Sequence, residues 1–595
     1  MRKRILIADI GSTTTKALLF ELGQESVRLL GGADAPTTVE APYNDVKIGL
    51  LQAVSRLEEQ LDLPLTEEKH SIIRASEHLD GLLATSSAGG GLQMLVVGLV
   101  KTMTAESAQK AALGAGAVLL DVMAQDDGLE MYERVTRIKE LRPDMILMAG
   151  GIEGGAVLEV ALLADLLVKA DPKNRLSDAK IPLIYAGNSD VRPYFESRNH
   201  PFDVRFVDNL RPLMEKEDLN PARLAIQEVF LNHVMTQAPG YKEVQDRVSA
   251  PILPTPLAVG KALELLAKEE QVNVMAMDIG GATTDVFSVY EGEFYRTVSA
   301  NLGMSYSSMH VLAETGINNI LRWLPAHLKE DEVRNWIHNK MLRPTTLPVS
   351  ADALKVEQAL AREALRLALE QHFSLTVALR GHKREGDAFK SNVTFFGEEV
   401  LFGMKDIDHL IGSGGAISHA PTPLQAAIMM IDSFLPSGYT RLSLDRSFML
   451  PHVGVLSQSD EESALRVLRN ICLKPLGSVI APVSGYANQN EKIGRLQLQG
   501  NKGTEKAMDL RFGHLYVLPL KDGEDAQVNI SGHWKLNYGK GHFKGFSGQV
   551  KGGDIGLIID LRGRPLRLAK NIDDQREQTE NWLVKVEMGG QDHES

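Results

Sequence analysis

A single cysteine, Cys472, stands in 595 residues. The chain therefore has no intrachain disulfide framework, no cysteine-built zinc site and no cysteine-ligated iron–sulfur cluster unless several chains share it. Cys472 lies in the apolar run 467–476 and reads as a small core residue. No uncharged stretch reaches the roughly 18 to 20 residues that a bilayer crossing takes, so no membrane-spanning segment is expected. No G-x-x-x-x-G-K-[ST] run occurs, which excludes a P-loop. Positive charge is in deficit: 64 Lys and Arg against 77 Asp and Glu leave a net charge of −13. General nucleic-acid and anionic-membrane surfaces need clustered cations, so no nucleic acid and no membrane partner is expected. The basic clusters at 380–384 and 537–546 read as solvated loops. A basic start, Met1-Arg2-Lys3-Arg4, resembles a signal peptide, but Asp9 interrupts the apolar run that follows and no small-residue cleavage site appears. The expected location is cytoplasmic.

At 44% hydrophobic and 24% charged residues, the composition is that of a soluble globular protein. The length exceeds one core, and a prior of about 100 to 200 residues per domain gives three to five units.

Two stretches carry the chemistry. Ile5-Leu6-Ile7-Ala8-Asp9-Ile10-Gly11-Ser12-Thr13-Thr14-Thr15-Lys16 is answered by Val274-Met275-Ala276-Met277-Asp278-Ile279-Gly280-Gly281-Ala282-Thr283-Thr284-Asp285. Each is an apolar strand ending in aspartate, then a glycine- and hydroxyl-rich turn, then a second apolar strand. Glycines let backbone N–H groups approach a phosphate without a Cβ in the way, and Ser and Thr add hydroxyl donors. A strand-end aspartate suits hydrated Mg²⁺, which keeps much of its water shell and takes one or two carboxylates. Two copies with aspartate in register read as a two-sided phosphate clamp.

A third turn, Leu410-Ile411-Gly412-Ser413-Gly414-Gly415-Ala416-Ile417, runs into the helical pattern 423–434 and lets backbone lie flat against ribose or adenine. The order phosphate turn, phosphate turn, adenosine turn resembles the actin, Hsp70 and sugar-kinase superfamily of ATPases. That likeness implies an α/β fold with a two-lobed actin/Hsp70-like core and ATP in the cleft between similar lobes. The interval from Asp278 to Gly412 is 134 positions and that from Asp9 to Gly150 is 141, near-equal spacings that suggest a duplicated half.

Along the chain, residues 1–30 pattern as hairpin strands and 45–61 and 71–83 as helices. A strand at 92–100 precedes a helix over 105–123 with Thr104 as N-cap. Strands at 145–148, 181–186 and 203–207 alternate with helices at 156–169 and 222–236, the signature of an α/β layer with parallel strands. The clearest helical period covers 351–373, with Glu357 and Arg362 on the wetter side. A strand is expected at 391–396. Residues 461–473 give the last long helix, followed by strands at 478–483, 515–520, 526–530, 555–560 and 582–586 and a frayed end at 589–595. The expected division is 1–270, a first ATPase lobe with an inserted α/β subdomain; 271–440, a second lobe; and 441–595, a β-rich C-terminal domain.

The combination of the three turns with Leu147-Met148-Ala149-Gly150-Gly151-Ile152-Glu153-Gly154-Gly155 and the tail Gly552-Gly553-Asp554-Ile555-Gly556-Leu557-Ile558-Ile559-Asp560-Leu561-Arg562-Gly563-Arg564-Pro565 resembles the accessory protein family of adenosylcobalamin-dependent glutamate mutase. The resemblance covers nearly the whole chain. It implies an ATP-dependent reactivating chaperone whose client is glutamate mutase or a related aminomutase, with damaged cobalamin released as the nucleotide cleft opens or closes. The implied cofactors are ATP and Mg²⁺. Asp9 and Asp278 would anchor Mg²⁺ through water, and Asp278 or Asp285 would orient the attacking water. Gly11, Ser12, Thr13 and Thr14, with Gly280, Gly281, Ala282 and Thr283, would hold phosphates, Lys16 would neutralise phosphate charge, and Gly412, Ser413, Gly414 and Gly415 would pack on adenosine. No D-x-H-x-x-G cobalamin signature is present, since Ile407 stands where that pattern needs aspartate ahead of His409. Rival readings are a small-molecule kinase, a polymerising scaffold ATPase and a hydantoinase-like hydrolase.

Overall fold

The computed structural model describes every residue except 1, 12, 40–41, 67–77, 88–91, 175–179, 198–199, 231–239, 300, 377–393, 396–397, 400, 485–486, 534, 539–543 and 589–595. Ser12, Gly89-Gly90-Gly91, the basic cluster 380–384, the tail 589–595, and parts of the segments expected at 71–83, 222–236, 391–396 and 537–546 lie outside the described residues. The chain divides into two units, one gathering Met1–Leu265 and Leu450–Ile471, the other Leu266–Val377, Asn392–Met449 and Cys472–Ser595.

Apolar residues at both even and odd positions of the first strand mark it as buried on both faces. In the first unit, β1 (Lys3–Ile10), β2 (Thr14–Leu22), β3 (Val27–Pro36), β4 (Gly81–Ser86) and β10 (Leu253–Pro254) form one sheet in the order β10-β4-β1-β2-β3. The three N-terminal strands pair antiparallel, whereas β4 pairs parallel to both β1 and β10. Residues 92–250, between β4 and β10, hold a second sheet of β5 (Gln93–Gly98), β6 (Val118–Ala124), β7 (Met145–Met148), β8 (Ile181–Tyr185) and β9 (Phe202–Phe206). Its pairs are all parallel, in the order β6-β5-β7-β8-β9, a doubly wound arrangement. Met94, Val96 and Leu147 bury on the side shared with Leu6, Ala8 and Ile10, and Leu95, Val97 and Ile146 on the other.

The second unit repeats the first unit's strand order. Its eight-stranded sheet begins β13 (Glu293–Ser299), β12 (Thr284–Tyr290), β11 (Val274–Ile279), β16 (His409–Ser413), β17 (Gly438–Asp445) and continues β18 (Leu473–Ala481), β26 (Gly556–Asp560), β22 (Leu515–Leu518). The first three pair antiparallel, and β16 pairs parallel to both β11 and β17. Two-residue strands β14 (Thr394–Phe395) and β15 (Glu398–Glu399) pair with each other, as do β19 (Val483–Ser484) and β24 (Leu536–Asn537). β20 (Lys492–Gly500), β21 (Glu505–Arg511), β23 (Asp525–Ile530) and β25 (Phe546–Lys551) make a four-stranded sheet.

The repeat is real in topology, but its landmark differs from the one the spacing suggests. The strand that stands to β1 as β16 stands to β11 is β4, ending at Ser86; the strand before Gly150 is β7 of the inserted sheet. The C-terminal region also divides differently from a separate domain at 441–595. β18, β26 and β22 extend the second unit's main sheet, whose two faces bury Val479 and Ile558 against helices, and Ile480, Leu557 and Ile559 against the four-stranded sheet. Residues 450–471 cluster with the first unit instead, where Gly454 lies against Ala258.

Five local expectations are corrected. The end of the helix expected over 71–83 is strand, since β4 begins at Gly81. The helix expected over 105–123 spans Glu106–Gly114, because Gly116 takes φ +92° and residues 118–124 form β6; Thr104 Oγ1 accepts from the N–H groups of Leu99 and Val100 rather than capping the helix. The helix at 461–473 runs Glu461–Val467, followed by a π turn, Leu468–Cys472. The strand expected at 582–586 is the end of a long helix, Ile572–Met588, whose Trp582 is buried with Nε1–H donating to Gly513 O and its ring under the Arg562 guanidinium. On the helix Ala351–Leu375, Arg362 and Glu357 face inward, paired with Asp432 at 2.8 Å and Lys340 at 3.2 Å. Apolar period alone does not separate a wet charge from a paired buried one.

Candidate functional site

Asp9 lies one residue before the end of β1, only 5% exposed. Its Oδ1 accepts two hydroxyls, from Thr85 of β4 at 2.8 Å and from Thr255, the first residue of the helix Thr255–Glu270, at 2.6 Å. Burial pushes its carboxyl up from the ordinary range, opposed by those two hydrogen bonds and by Lys16, its cross-strand partner on β2. Beside it, Ser86 and Tyr241 share a hydrogen bond.

The turn after Asp9 is closed by Gly11 N–H donating to Thr14 O at 3.0 Å. A Cβ at position 11 would sit 2.6 Å from that carbonyl, so only glycine fits. Thr37 braces the turn from behind, its N–H donating to Thr13 O and its Oγ1 to Gly11 O. Thr13 and Thr14 are exposed.

The second turn has the same frame. Gly280 N–H donates to Thr283 O at 2.9 Å. The three carbonyls of Gly280, Gly281 and Ala282 are then taken by one segment, from Met304 N–H at 3.0 Å, Ser305 N–H at 2.8 Å and Ser307 Oγ at 2.7 Å. In a trans peptide the N–H points opposite to the C=O of the same plane. The N–H groups of Gly281, Ala282 and Thr283 therefore all face away from residues 304–307, with Gly281 and Ala282 exposed. Successive N–H groups turned to one side are an anion-binding concavity.

Around Asp278 the sheet aligns a row of side chains. Asp278 is in register with Asp285 on β12 and with Ser413 on β16, so the three share one face. Asp285 is held by Arg296 through contacts of 2.8 and 3.0 Å, and that guanidinium also lies over Phe287. The Asp285 carboxylate is thus an ion-pair partner first.

The third turn packs on the second. Gly414 takes φ +94°, and a Cβ there would meet Ile279 O at 2.3 Å, so the turn crosses the end of β11 backbone to backbone. Gly415 has open space around its Cα and is exposed. Gly412, by contrast, is buried against Met430, Ile417 and Leu444, where its missing side chain serves core packing. His409, also on β16, is buried and neutral: burial drives its pKa well below the usual value, and Nε2 meets Ser443 Oγ at 2.8 Å.

The second unit thus brings together Asp278, residues 280–283 and residues 412–415, and the first unit Asp9, Gly11, Thr13, Thr14 and Lys16. Sequence reasoning missed Thr85 and Thr255, which hold Asp9, and Met304, Ser305 and Ser307, which aim the second turn. Residues 82–86, an apolar run into two hydroxyl residues, carried a signal for Thr85; Thr255 lies 246 positions from its partner and carried none.

The aspartate-tipped hairpin and parallel neighbour, built twice, define a mixed α/β protein with the repeated half that the actin, Hsp70 and sugar-kinase resemblance implies. The chain belongs to the MutL protein family, whose model matches residues 5–472. It is similar to Protein MutL of Clostridium tetanomorphum, 29% identical over 504 residues that cover 79% of this chain and 99% of that one. Among solved structures it is similar to nucleotide-free acetone carboxylase, at 13% identity and a TM-score of 0.32 over 86% of this chain and 81% of that chain. Gluconate kinase from Lactobacillus acidophilus is similar at 8% identity and a TM-score of 0.29, over 80% and 93% of the two chains. Among the described residues no helix is long and apolar enough to cross a membrane, and no three His, Cys, Asp or Glu converge as direct metal ligands.

Proposed function

We propose that this chain binds and hydrolyses Mg·ATP at its phosphate turns and couples turnover to reactivation of an adenosylcobalamin-dependent mutase, glutamate mutase or a related aminomutase, by releasing damaged cobalamin. The observation that carries the nucleotide reading is the second turn, where three consecutive carbonyls are tied back and three N–H groups face the other way. Membership of the MutL family, together with the resemblance to glutamate mutase accessory proteins, supports the client.

The residues suit the cofactor. Hydrated Mg²⁺ takes one or two carboxylates and needs no cage of three, and it would neutralise the β and γ phosphates when bound. Asp9, fixed at Oδ1 by two hydroxyls, keeps its second oxygen for a metal-bound water. Asp278 takes the same place in the second unit and orients the attacking water, a role Asp285 fills less well because Arg296 holds it. The N–H groups of Gly281, Ala282 and Thr283 hold phosphate oxygens, with Thr13, Thr14 and Lys16 as the first unit's donors. Gly415 offers its bare backbone to the adenosine.

The test is reactivation. Glutamate mutase inactivated by turnover is mixed with this protein, fresh adenosylcobalamin and Mg·ATP, and mutase activity is followed. Recovery that requires hydrolysable ATP supports the proposal; recovery equal with and without ATP, or none with any adenosylcobalamin mutase, rejects the client role and leaves the ATPase to be judged separately.

A further inference from the structure

The two units treat their strand-end aspartates differently. In the first, the residue in register with Asp9 on the parallel neighbour is Thr85, and its hydroxyl donates to the carboxylate at 2.8 Å. In the second, the residue in register with Asp278 on the parallel neighbour is Ser413. Ser413 is 2% exposed, yet its hydroxyl has no hydrogen-bond partner among the described residues. A buried hydroxyl without a partner loses its hydration for no return, a cost of about 1–3 kcal/mol. Such an atom calls for an explanation, and beside a proposed reaction centre a partner that arrives with the ligand supplies one.

The main-chain geometry fixes where that hydroxyl can act. Gly412, one residue earlier, faces the opposite side of the sheet, into Met430 and Leu444, so Ser413 projects on the face of Asp278. The next residue, Gly414, is pinned against Ile279, which holds the end of β16 to the end of β11. Ser413 therefore shares the sheet face of Asp278, opposite to the face on which Gly412 packs.

We propose that Ser413 is a positioning residue for hydrolysis: its hydroxyl hydrogen-bonds the water that Asp278 orients, and so fixes that water's direction of approach to the terminal phosphate. The proposal rests on the ATPase reading above.

The experiment uses the full chain with Mg·ATP, comparing wild type, Ser413→Ala and Ser413→Thr for kcat, KM and melting temperature. Loss of an outer hydrogen-bond partner typically costs about 10- to 100-fold in activity. Ser413→Ala is expected to lower kcat by about tenfold or more with KM for ATP within about twofold. It should leave the nucleotide-free melting temperature unchanged or slightly raised, because it removes an unsatisfied group. Ser413→Thr, which restores the γ-hydroxyl of the first unit's equivalent, is expected to recover most of kcat. Wild-type kcat in Ser413→Ala overturns the proposal, as does a folded Ser413→Thr no better than alanine; if the threonine variant does not fold, kcat of the alanine variant decides alone. A wild-type chain that binds no ATP would instead sink the ATPase reading, a distinguishable outcome.

Discussion

Thr255 Oγ1 donates to Asp9 Oδ1 at 2.6 Å, joining the start of one helix to a strand end 246 residues away. The carboxylate is buried, so its orientation depends on this donor and Thr85. Thr255→Val keeps the shape and removes the hydroxyl. It is expected to lower ATP turnover by about tenfold and to destabilise the fold by about 1–3 kcal/mol. Thr255→Ser should retain most of both. Steady-state phosphate release and denaturant unfolding measure the two effects, and a valine variant with full turnover would remove Thr255 from the site.

Asp9 itself opposes stability to function. Its carboxyl is raised by burial, so folding favours the protonated form. That contribution is present in full below the ordinary value of 3.8 and is lost as pH rises through the folded-state value. Asp9→Asn can still accept both threonine hydroxyls without charge. It should melt above wild type at pH 7, with the gap closing toward pH 4, while turnover disappears. Melting curves across that range check it; a lower melting temperature at pH 7 would contradict the sign.

Gly454 governs how closely its helix approaches the helix that begins at Thr255. An added Cβ would lie 1.7 Å from Ala258 O, backbone that cannot rotate away. Gly454→Ala is expected to cost about 1–3 kcal/mol or more and to weaken turnover indirectly through Thr255. Urea titration of the variant measures the loss, and unaltered stability would show that the helices separate freely.

A buried charge network closes the C-terminal end of the second unit. Asp560 accepts from Arg562 and from Arg564 at 2.8 Å each, and Arg562 also meets Asp432 at 2.8 Å. Burial alone would raise the Asp560 carboxyl, but the two arginines outweigh it and hold it well below the ordinary range. Asp560→Asn leaves Arg564 without its anion and Arg562 with Asp432 alone, and a broken buried pair costs about 3–5 kcal/mol. The stability lost should show as a lower unfolding midpoint at pH 7, where wild-type Asp560 is ionised.

Where function presses on local backbone, the sequence was legible. Gly11 and Gly280 stand where a carbonyl crowds the Cα, and residues 9–16 and 278–285 repeat because each turn is closed by the same glycine N–H bond. The repeated order of strands was readable only as a suggestion, since Gly150, at the end of β7 in the inserted sheet, offered a false landmark for it. The remaining long-range partners were invisible: Thr255 and the 304–307 segment act through the folded chain and not through local pattern. The pairing of β18, β26 and β22 was out of reach for a related reason, because they find their partners in another part of the chain, and the helix around Trp582 looks strand-like over five residues.

The most direct test of the central claim is phosphate release by the purified full-length chain with Mg·ATP and no added acceptor, set beside Asp278→Ala. Steady release from wild type, and its loss in a variant whose circular dichroism and melting are unchanged, is the predicted result. Equal release from both proteins, or release from wild type only when a small-molecule acceptor is supplied, would contradict it.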